Sequence, residues 1–266
     1  MRLKDKVILV TGSVSGIGEG MVRVFAREGA IVVVHGPPTE EAQTEAARIC
    51  QEILAAGGKA STLLADLADP AVPAQLIQQV IERHGRLDGL VNNAAALTRG
   101  TLEHTDLATY ERILAVNLRA PFFLIQAAIP HFRRQKVGRI INIGSINAYS
   151  GDRVQAAYSV SKGGLMTLTR HTADAYGKDG VRAHQFNVGW TLTPREYELK
   201  RSEGFKENWQ YEVSKEFAPS GRLLTPEDIA WAAVYFLSDE AELMNGAVFE
   251  LEQFPLIGRM QERNPT

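Results

Sequence analysis

Tyr158 and Lys162 stand four residues apart in Tyr158-Ser-Val-Ser-Lys162, a stretch that reads as helix, so phenol and ammonium share one face. A free tyrosine titrates at about pH 10 and is a poor base at neutrality. A neighbouring ammonium favours the phenolate and is expected to draw that pKa toward the working range, where the group can move a proton to or from an oxygen. Ser145, at the carboxyl end of a predicted strand, can donate to an oxygen on which negative charge develops. Far upstream, Thr11-Gly12-Ser13-Val14-Ser15-Gly16-Ile17-Gly18 links a β-branched run to a helix ending near Glu28. Glycine lets a backbone turn tightly and approach a pyrophosphate, and the helix N-terminus adds unpaired N–H groups and positive dipole.

These groups need elements to hold them. Short β-branched runs at 7–10, 31–35, 60–65, 87–91, 139–143, 181–187 and 247–251 read as strands. Helical stretches alternate with them. Thr39 before Glu40-Glu41 marks one start, with Gly57-Gly58 past its end. Asp69 reads as an N-cap with Pro70 as the first helical residue, and Thr225-Pro226-Glu227-Asp228 opens a helix over 226–238. Strand–helix alternation implies parallel strands joined by right-handed crossovers, hence an α/β fold with helices on both faces of the sheet. Strand, glycine loop, helix and second strand come in the order a dinucleotide-binding fold requires. Trp190–Gly221 carries no clear period and reads as a lid within a single domain spanning residues 1–266.

Composition narrows the classes further. Of 266 residues, 23% are charged and 45% hydrophobic, which is globular composition rather than that of a disordered chain or a fibre. A net charge of −2 gives no footprint for nucleic acid, and Arg133-Arg134-Gln135-Lys136 reads as a solvated helix end. The charge-free stretch 120–132 is too short for a spanning helix of about 20 residues, so no membrane role is expected. The six histidines (35, 84, 104, 131, 171, 184) lack metal spacing, and the single cysteine, Cys50, cannot form an intrachain disulfide. No metal is expected, and the reading is a cytoplasmic protein. Ile143-Gly144-Ser145-Ile146-Asn147 is not a Gly-x-Ser-x-Gly elbow, which argues against a hydrolase.

The spacing Gly-x3-Gly-x-Gly, with Asn92-Asn93-Ala94-Ala95, Asn117, Ser145 and Tyr158-x3-Lys162 in order, resembles the short-chain dehydrogenase/reductase family across nearly the whole chain. The resemblance implies a Rossmann-type, doubly wound, seven-stranded parallel sheet and an NAD(P)-dependent interconversion of a secondary alcohol and a ketone. It implies a catalytic tetrad of Asn117, Ser145, Tyr158 and Lys162. Lys162 would also hold the nicotinamide ribose, and Asn117 would order a water path to the lysine. Cofactor contacts are expected from Gly12, Ser13, Ser15, Gly16, Ile17, Gly18, His35, Gly36, Asp66 (the adenine position), Leu67, Asn93, Ala94, Tyr158, Lys162, Gly189, Thr191 and Thr193. Asn147, Gln155 and Trp190 are candidate substrate contacts, and family members assemble as homodimers or homotetramers through helices, here near 105–130 and 153–177.

Four departures shape the finer expectations. Gly36 stands where an NAD-preferring member carries an acid, while no Arg or Lys occurs between Arg27 and Arg48. Only His35, Ser13 and Thr39 are local partners for a 2′-phosphate, and the balance leans to NADP with use of both cofactors. Asn187-Val188-Gly189 replaces Asn-Pro-Gly, and Thr191 replaces an aliphatic residue. Glu252-Gln253-Phe254 replaces a glycine ending, so the tail is expected to cross to a neighbouring subunit and bring Arg259, or the carboxylate of Glu252, toward the lid at 190–220. The polar and aromatic residues of that lid (Arg195, Glu196, Tyr197, Glu198, Lys200, Arg201, Glu203, Trp209) suggest a small sugar, sugar acid or polyol as substrate. A 3-oxoacyl thioester reductase and a non-catalytic cofactor-binding regulator are the alternatives.

Overall fold

The computed structural model describes residues 1–149, 151–216 and 218–253. Seven strands, β1 (Val7–Val10), β2 (Ile31–Gly36), β3 (Lys59–Leu64), β4 (Gly89–Asn92), β5 (Gly138–Ser145), β6 (Val181–Val188) and β7 (Val248–Leu251), form one sheet in the order β3-β2-β1-β4-β5-β6-β7. Every neighbouring pair is parallel. Strand order reverses between β1 and β4, and the crevice beyond their carboxyl ends is where such sheets bind ligands.

Both faces are covered, which explains strands that read as continuous apolar runs. Ile8 and Val10 pack with Phe25 of α1 (Gly16–Arg27), Ile49 of α2 (Glu40–Ala55) and Val234 of α8 (Pro226–Leu237). Val7 and Leu9 point the other way, toward Leu76 of α3 (Val72–His84), Leu124 and Phe132 of α5 (Ala120–Gln135) and Ala173 of α6 (Ala156–Tyr176). The expected caps form at Thr39, whose Oγ1 accepts the Ala42 N–H, and at Thr225, where a reciprocal capping box includes Asp228.

Two local expectations are corrected. Asp69 does not cap a helix: its Oδ1 accepts the Ala71 N–H at 2.9 Å, closing a short turn, and α3 begins only at Val72 with Pro73 in its first turn. Trp190–Gly221 contains α7 (Pro194–Ser202), capped by Thr193, and a 3₁₀ turn at Trp209–Tyr211. No residue of α7 is buried, so its sequence carries no apolar period.

α4 (Leu107–Leu114) runs through a π-helical turn at Ala115–Arg119 into α5. The resulting 29-residue helix is, by length and composition, apolar enough to cross a membrane, which counting charge-free stretches did not anticipate. It is a core helix here: Ala120, Leu124, Ala128 and Phe132 are buried in the sheet-covering layer.

Candidate active site

The glycine loop is built by contacts that exclude side chains. Gly12 has φ +63°, and a Cβ there would lie 2.7 Å from the Ala94 Cα. A Cβ on Gly18 would lie 2.4 Å from the Gly12 carbonyl oxygen and 2.6 Å from Asn93 Nδ2. Asn93 locks the loop by donating from Nδ2 to the carbonyls of Thr11 and Gly12, each at 2.9 Å. Ala94 reaches it through a backbone N–H to Thr11 Oγ1. Exposed Ser15 is the N-cap of α1 but makes no side-chain cap, so it does not occupy the first-turn N–H groups at Gly16, Ile17 and Gly18. This glycine cradle with an open helix N-terminus fits the pyrophosphate of a dinucleotide. Thr193, at the start of α7, closes the other side: a Cβ on Gly16 would lie 3.5 Å from its Cγ2.

Two of the three expected 2′-phosphate partners, His35 and Ser13, are buried and engaged within the loop. His35 is buried, and its Nδ1 accepts the Gly12 N–H at 3.2 Å. Burial pushes its pKa down to about 4, so at neutral pH it is an uncharged brace for the loop rather than a cation. Buried Ser13 donates from Oγ to the Val10 carbonyl and accepts the His35 N–H, and Thr39 caps α2. Gly36 packs against a side chain that sequence reading overlooked: a Cβ there would lie 2.8 Å from Val14 Cγ1. Asp66 is half-buried and engaged, with Oδ2 taking Arg112 Nη1 at 2.8 Å and Oδ1 the Ala68 N–H. Arg112 holds its carboxyl below the usual range, and no local signal marked this partner 46 residues away. The Leu67 side chain belongs to the core.

His184 on β6 is likewise buried, its ring 4.7 Å from that of Phe236, and burial lowers its pKa to about 4. For both histidines the unfolded chain binds more protons than the native one below pH 6.5, so stability is lost as pH falls from 6.5 toward 4. For His35 alone the linkage amounts to about 3 kcal/mol by pH 4. His184→Phe keeps an aromatic ring among Phe236 and Phe249 and loses one titration, so its melting temperature falls less than the wild type's between pH 7 and pH 5. Parallel falls would contradict this.

At the carboxyl end of β5, Ser145 accepts the Asn147 N–H at 3.1 Å. Lys162, one turn along α6, is buried with its Nζ 5.5 Å from the Tyr158 ring centre. That Nζ donates to the Ile143 carbonyl at 2.7 Å. Burial pushes Tyr158 up to about 12, opposed by Ser145, and lowers Lys162 to about 8. The expected acidification of the phenol by the ammonium is therefore absent here, because Lys162 points at the strand carbonyl. A phenol kept protonated is set up as a proton donor.

Asn117 sits in the π-helical turn, fully buried. Its Oδ1 accepts the Ala96 N–H at 2.7 Å, and its Nδ2 donates to the Ala96 carbonyl and to Ser161 Oγ. Both amide hydrogens thus tie the loop after β4 to α6. Asn147 and Gln155 are hydrogen-bonded to each other beside Ser145, and Gln155 lies in a segment that bridges to Gly100. Trp190 is not free: its ring stacks on Trp209 at 5.4 Å, and its Nε1 donates to Glu196 at 2.7 Å. With Ala218 and Leu223 these rings form a small core of segment 190–221. The Trp190 and Trp209 rings are packing, while Tyr197, Arg195, Glu198, Arg201 and Glu203 are exposed. Gly189 abuts the Glu252 carboxylate, and Thr191 Oγ1 donates to the Gly189 carbonyl. Among the described residues no cluster of His, Cys, Asp or Glu could hold a metal.

Residues 12–252 match the family described as enoyl-(acyl carrier protein) reductase. The chain is 33% identical over 248 residues to L-rhamnose 1-dehydrogenase (NAD(P)(+)) of Azotobacter vinelandii, covering 93% of this chain and 95% of that protein. It is 31% identical over 250 residues to meso-2,3-butanediol dehydrogenase of Serratia marcescens, covering 93% of each. The solved structure of a 3-oxoacyl (acyl-carrier-protein) reductase from Agrobacterium tumefaciens C58 with NADP bound aligns at 30% identity with a TM-score of 0.85, covering 94% of this chain and 93% of that one.

Proposed function

Because the chain belongs to the short-chain dehydrogenase/reductase family, we propose that it interconverts a secondary alcohol and a ketone with NAD(P), Tyr158 being the group that moves the proton. The observation that carries this reading is the placing of buried Lys162 one helical turn from Tyr158, with its Nζ 5.5 Å from the ring centre, beside Ser145 at the carboxyl end of β5. In reduction, the Tyr158 hydroxyl gives its proton to the carbonyl oxygen while Ser145 donates to the same atom. In oxidation the phenolate takes that proton back, so the oxidation rate rises with pH through the alkaline range. Gly12, Gly16, Gly18, Asn93, Thr193 and Lys162 would hold the dinucleotide, which when bound supplies or accepts the hydride.

The substrate reading is a small polyhydroxylated compound: a sugar, a sugar acid or a polyol. The paired side-chain amides of Asn147 and Gln155 beside Ser145 support it, offering donors and acceptors to hydroxyl groups. The names of the rhamnose and butanediol relatives agree with that class, whereas the name of the NADP-bound structural relative corresponds to the 3-oxoacyl thioester alternative. A 340-nm screen with both cofactors against deoxy sugars, aldonic acids, vicinal diols and 3-oxoacyl thioesters decides between them. Turnover confined to the thioesters would reject the polyol reading.

Cofactor choice has its own test. Gly36→Asp alone is expected to bind either cofactor poorly, because its Cβ meets Val14. With Val14→Ala added, the carboxylate fits, holds the ribose hydroxyls and repels a 2′-phosphate, so the NAD-to-NADP ratio of kcat/KM rises by about tenfold or more. An unchanged ratio in the double variant would reject Val14 as the obstacle.

Assembly as a homotetramer or homodimer belongs to the same reading. Leu107 and Tyr110 of α4, Phe122 and Phe123 of α5, and Val160 of α6 are exposed apolar residues on the long helices. A cytoplasmic location accords with a single, free cysteine.

A further inference from the structure

The two residues that follow β7 touch both stems of segment 190–221. Glu252 Oε2 accepts the Trp190 N–H at 3.4 Å, and its carboxylate occupies the space beside Gly189, 2.0 Å from where a Cβ would lie. Gln253 takes the other stem. Its Oε1 accepts both the N–H and the hydroxyl of Ser220, at 3.0 and 2.7 Å, and its Nε2 donates to the Arg222 carbonyl at 2.7 Å. The Gln253 N–H closes onto Glu252 Oε1 at 2.7 Å, so the two side chains act as one fastening. Backbone bonds run alongside, from the Gly189 N–H to the Leu251 carbonyl and from the Leu192 N–H to the Leu224 carbonyl.

Segment 190–221 is also tied across the cleft. Thr193 lies against Gly16 of the cofactor loop, and Glu203 past α7 pairs with Arg99 at 2.8 Å and with Lys200 at 2.7 Å. The segment therefore reaches both the glycine loop and the loop after β4, on either side of the cleft. Its outer contacts are exposed ion pairs, which hold weakly. The stems are better held, by bonds to backbone groups.

We infer that Glu252 and Gln253 are positioning residues that fasten both stems of segment 190–221 to the end of the sheet and thereby set affinity for the alcohol or ketone. Neither touches the reacting atoms. The inference rests on the oxidoreductase reading above for its kinetic consequence, but the fastening can be measured without catalysis. A side-chain amide that makes three bonds to one stem, joined to a carboxylate bonded to the other, couples the two. Loosening one stem frees the other.

The test uses full-length Glu252→Ala, Gln253→Ala and the milder Ser220→Ala, which removes the hydroxyl but keeps the backbone N–H bond to Gln253, with Glu252→Gln as the variant that keeps the size and one of the two acceptors. Amide hydrogen exchange in peptides covering 189–193 and 218–224 is expected to accelerate by about tenfold at both stems in either alanine variant at 252 or 253, with the sheet unchanged. Ser220→Ala and Glu252→Gln, which each remove part of the fastening, give smaller effects of the same pattern. KM for the alcohol rises by about five- to tenfold with kcat within about twofold, and the dissociation constant of the cofactor, which loses only the Thr193 side of its cradle, rises by less than KM. Exchange that accelerates at one stem only, or at neither, overturns the fastening. A cofactor dissociation constant that rises as far as KM overturns its assignment to substrate positioning. A wild type inactive on every alcohol and ketone defeats the oxidoreductase reading instead, and leaves the exchange result to judge the fastening.

Discussion

Tyr158→Phe lowers kcat by about 10²- to 10⁴-fold and leaves cofactor affinity within about twofold of the wild type. The change deletes one oxygen and keeps the ring, which is half-buried on α6 with Lys162 over its face at 5.5 Å. Only the proton movement is lost, so kcat and kcat/KM fall together, the pattern of an interaction made in the transition state. Lys162→Ala behaves differently. Its ammonium is buried and held by the Ile143 carbonyl, so its removal takes away both the charge beside the phenol and the donor expected at the nicotinamide ribose. Turnover and cofactor affinity then fall together. Wild-type turnover in Tyr158→Phe would remove the phenol from the mechanism.

Gly18→Ala is expected to weaken dinucleotide binding by about 10²-fold and to destabilise the fold by about 1–3 kcal/mol. The new methyl group would meet the Gly12 carbonyl oxygen at 2.4 Å, Asn93 Nδ2 at 2.6 Å and the Ser13 Cα at 2.7 Å. Two of those three are backbone atoms that cannot swing away, so α1 must retreat from the loop and its N–H groups leave the pyrophosphate position. Gly85→Ala separates stability from affinity. Gly85 has φ +75° with nothing near its Cβ position, so alanine there strains the backbone far from the cleft. Its melting temperature falls while cofactor affinity holds. Equal affinity for the cofactor in Gly18→Ala and the wild type would refute the cradle.

The strands were legible because parallel strands buried on both faces carry apolar runs, as Val7–Val10 and Ile31–Val34 do, while their order across the sheet was not. The glycine cradle and the Tyr158–Lys162 pair were legible because each is a local spacing. What escaped depended on groups distant in sequence or on burial. The Arg112 partner of Asp66 lies on another helix, and the neutral state of His35 follows from an enclosure that no single strand reveals. α7 escaped because it buries nothing. Trp190 and Trp209 read as a binding surface, since a sequence does not tell a stacked pair from an exposed one. The last residues were expected to reach a neighbouring subunit, whereas Glu252 and Gln253 bond to Trp190 and Ser220 of their own chain, and Arg259 lies outside the described residues.

The most direct test of the account is the fate of the hydride. NAD(P)H deuterated at C4 is incubated with the enzyme and a panel of hydroxyketones and vicinal diketones, and the product alcohols are analysed by mass spectrometry. The account predicts one deuterium on the carbinol carbon with the wild type, and a rate lowered by about 10²-fold or more with Tyr158→Phe. Absence of transfer from either cofactor to every ketone, or equal transfer by the two proteins, would contradict it.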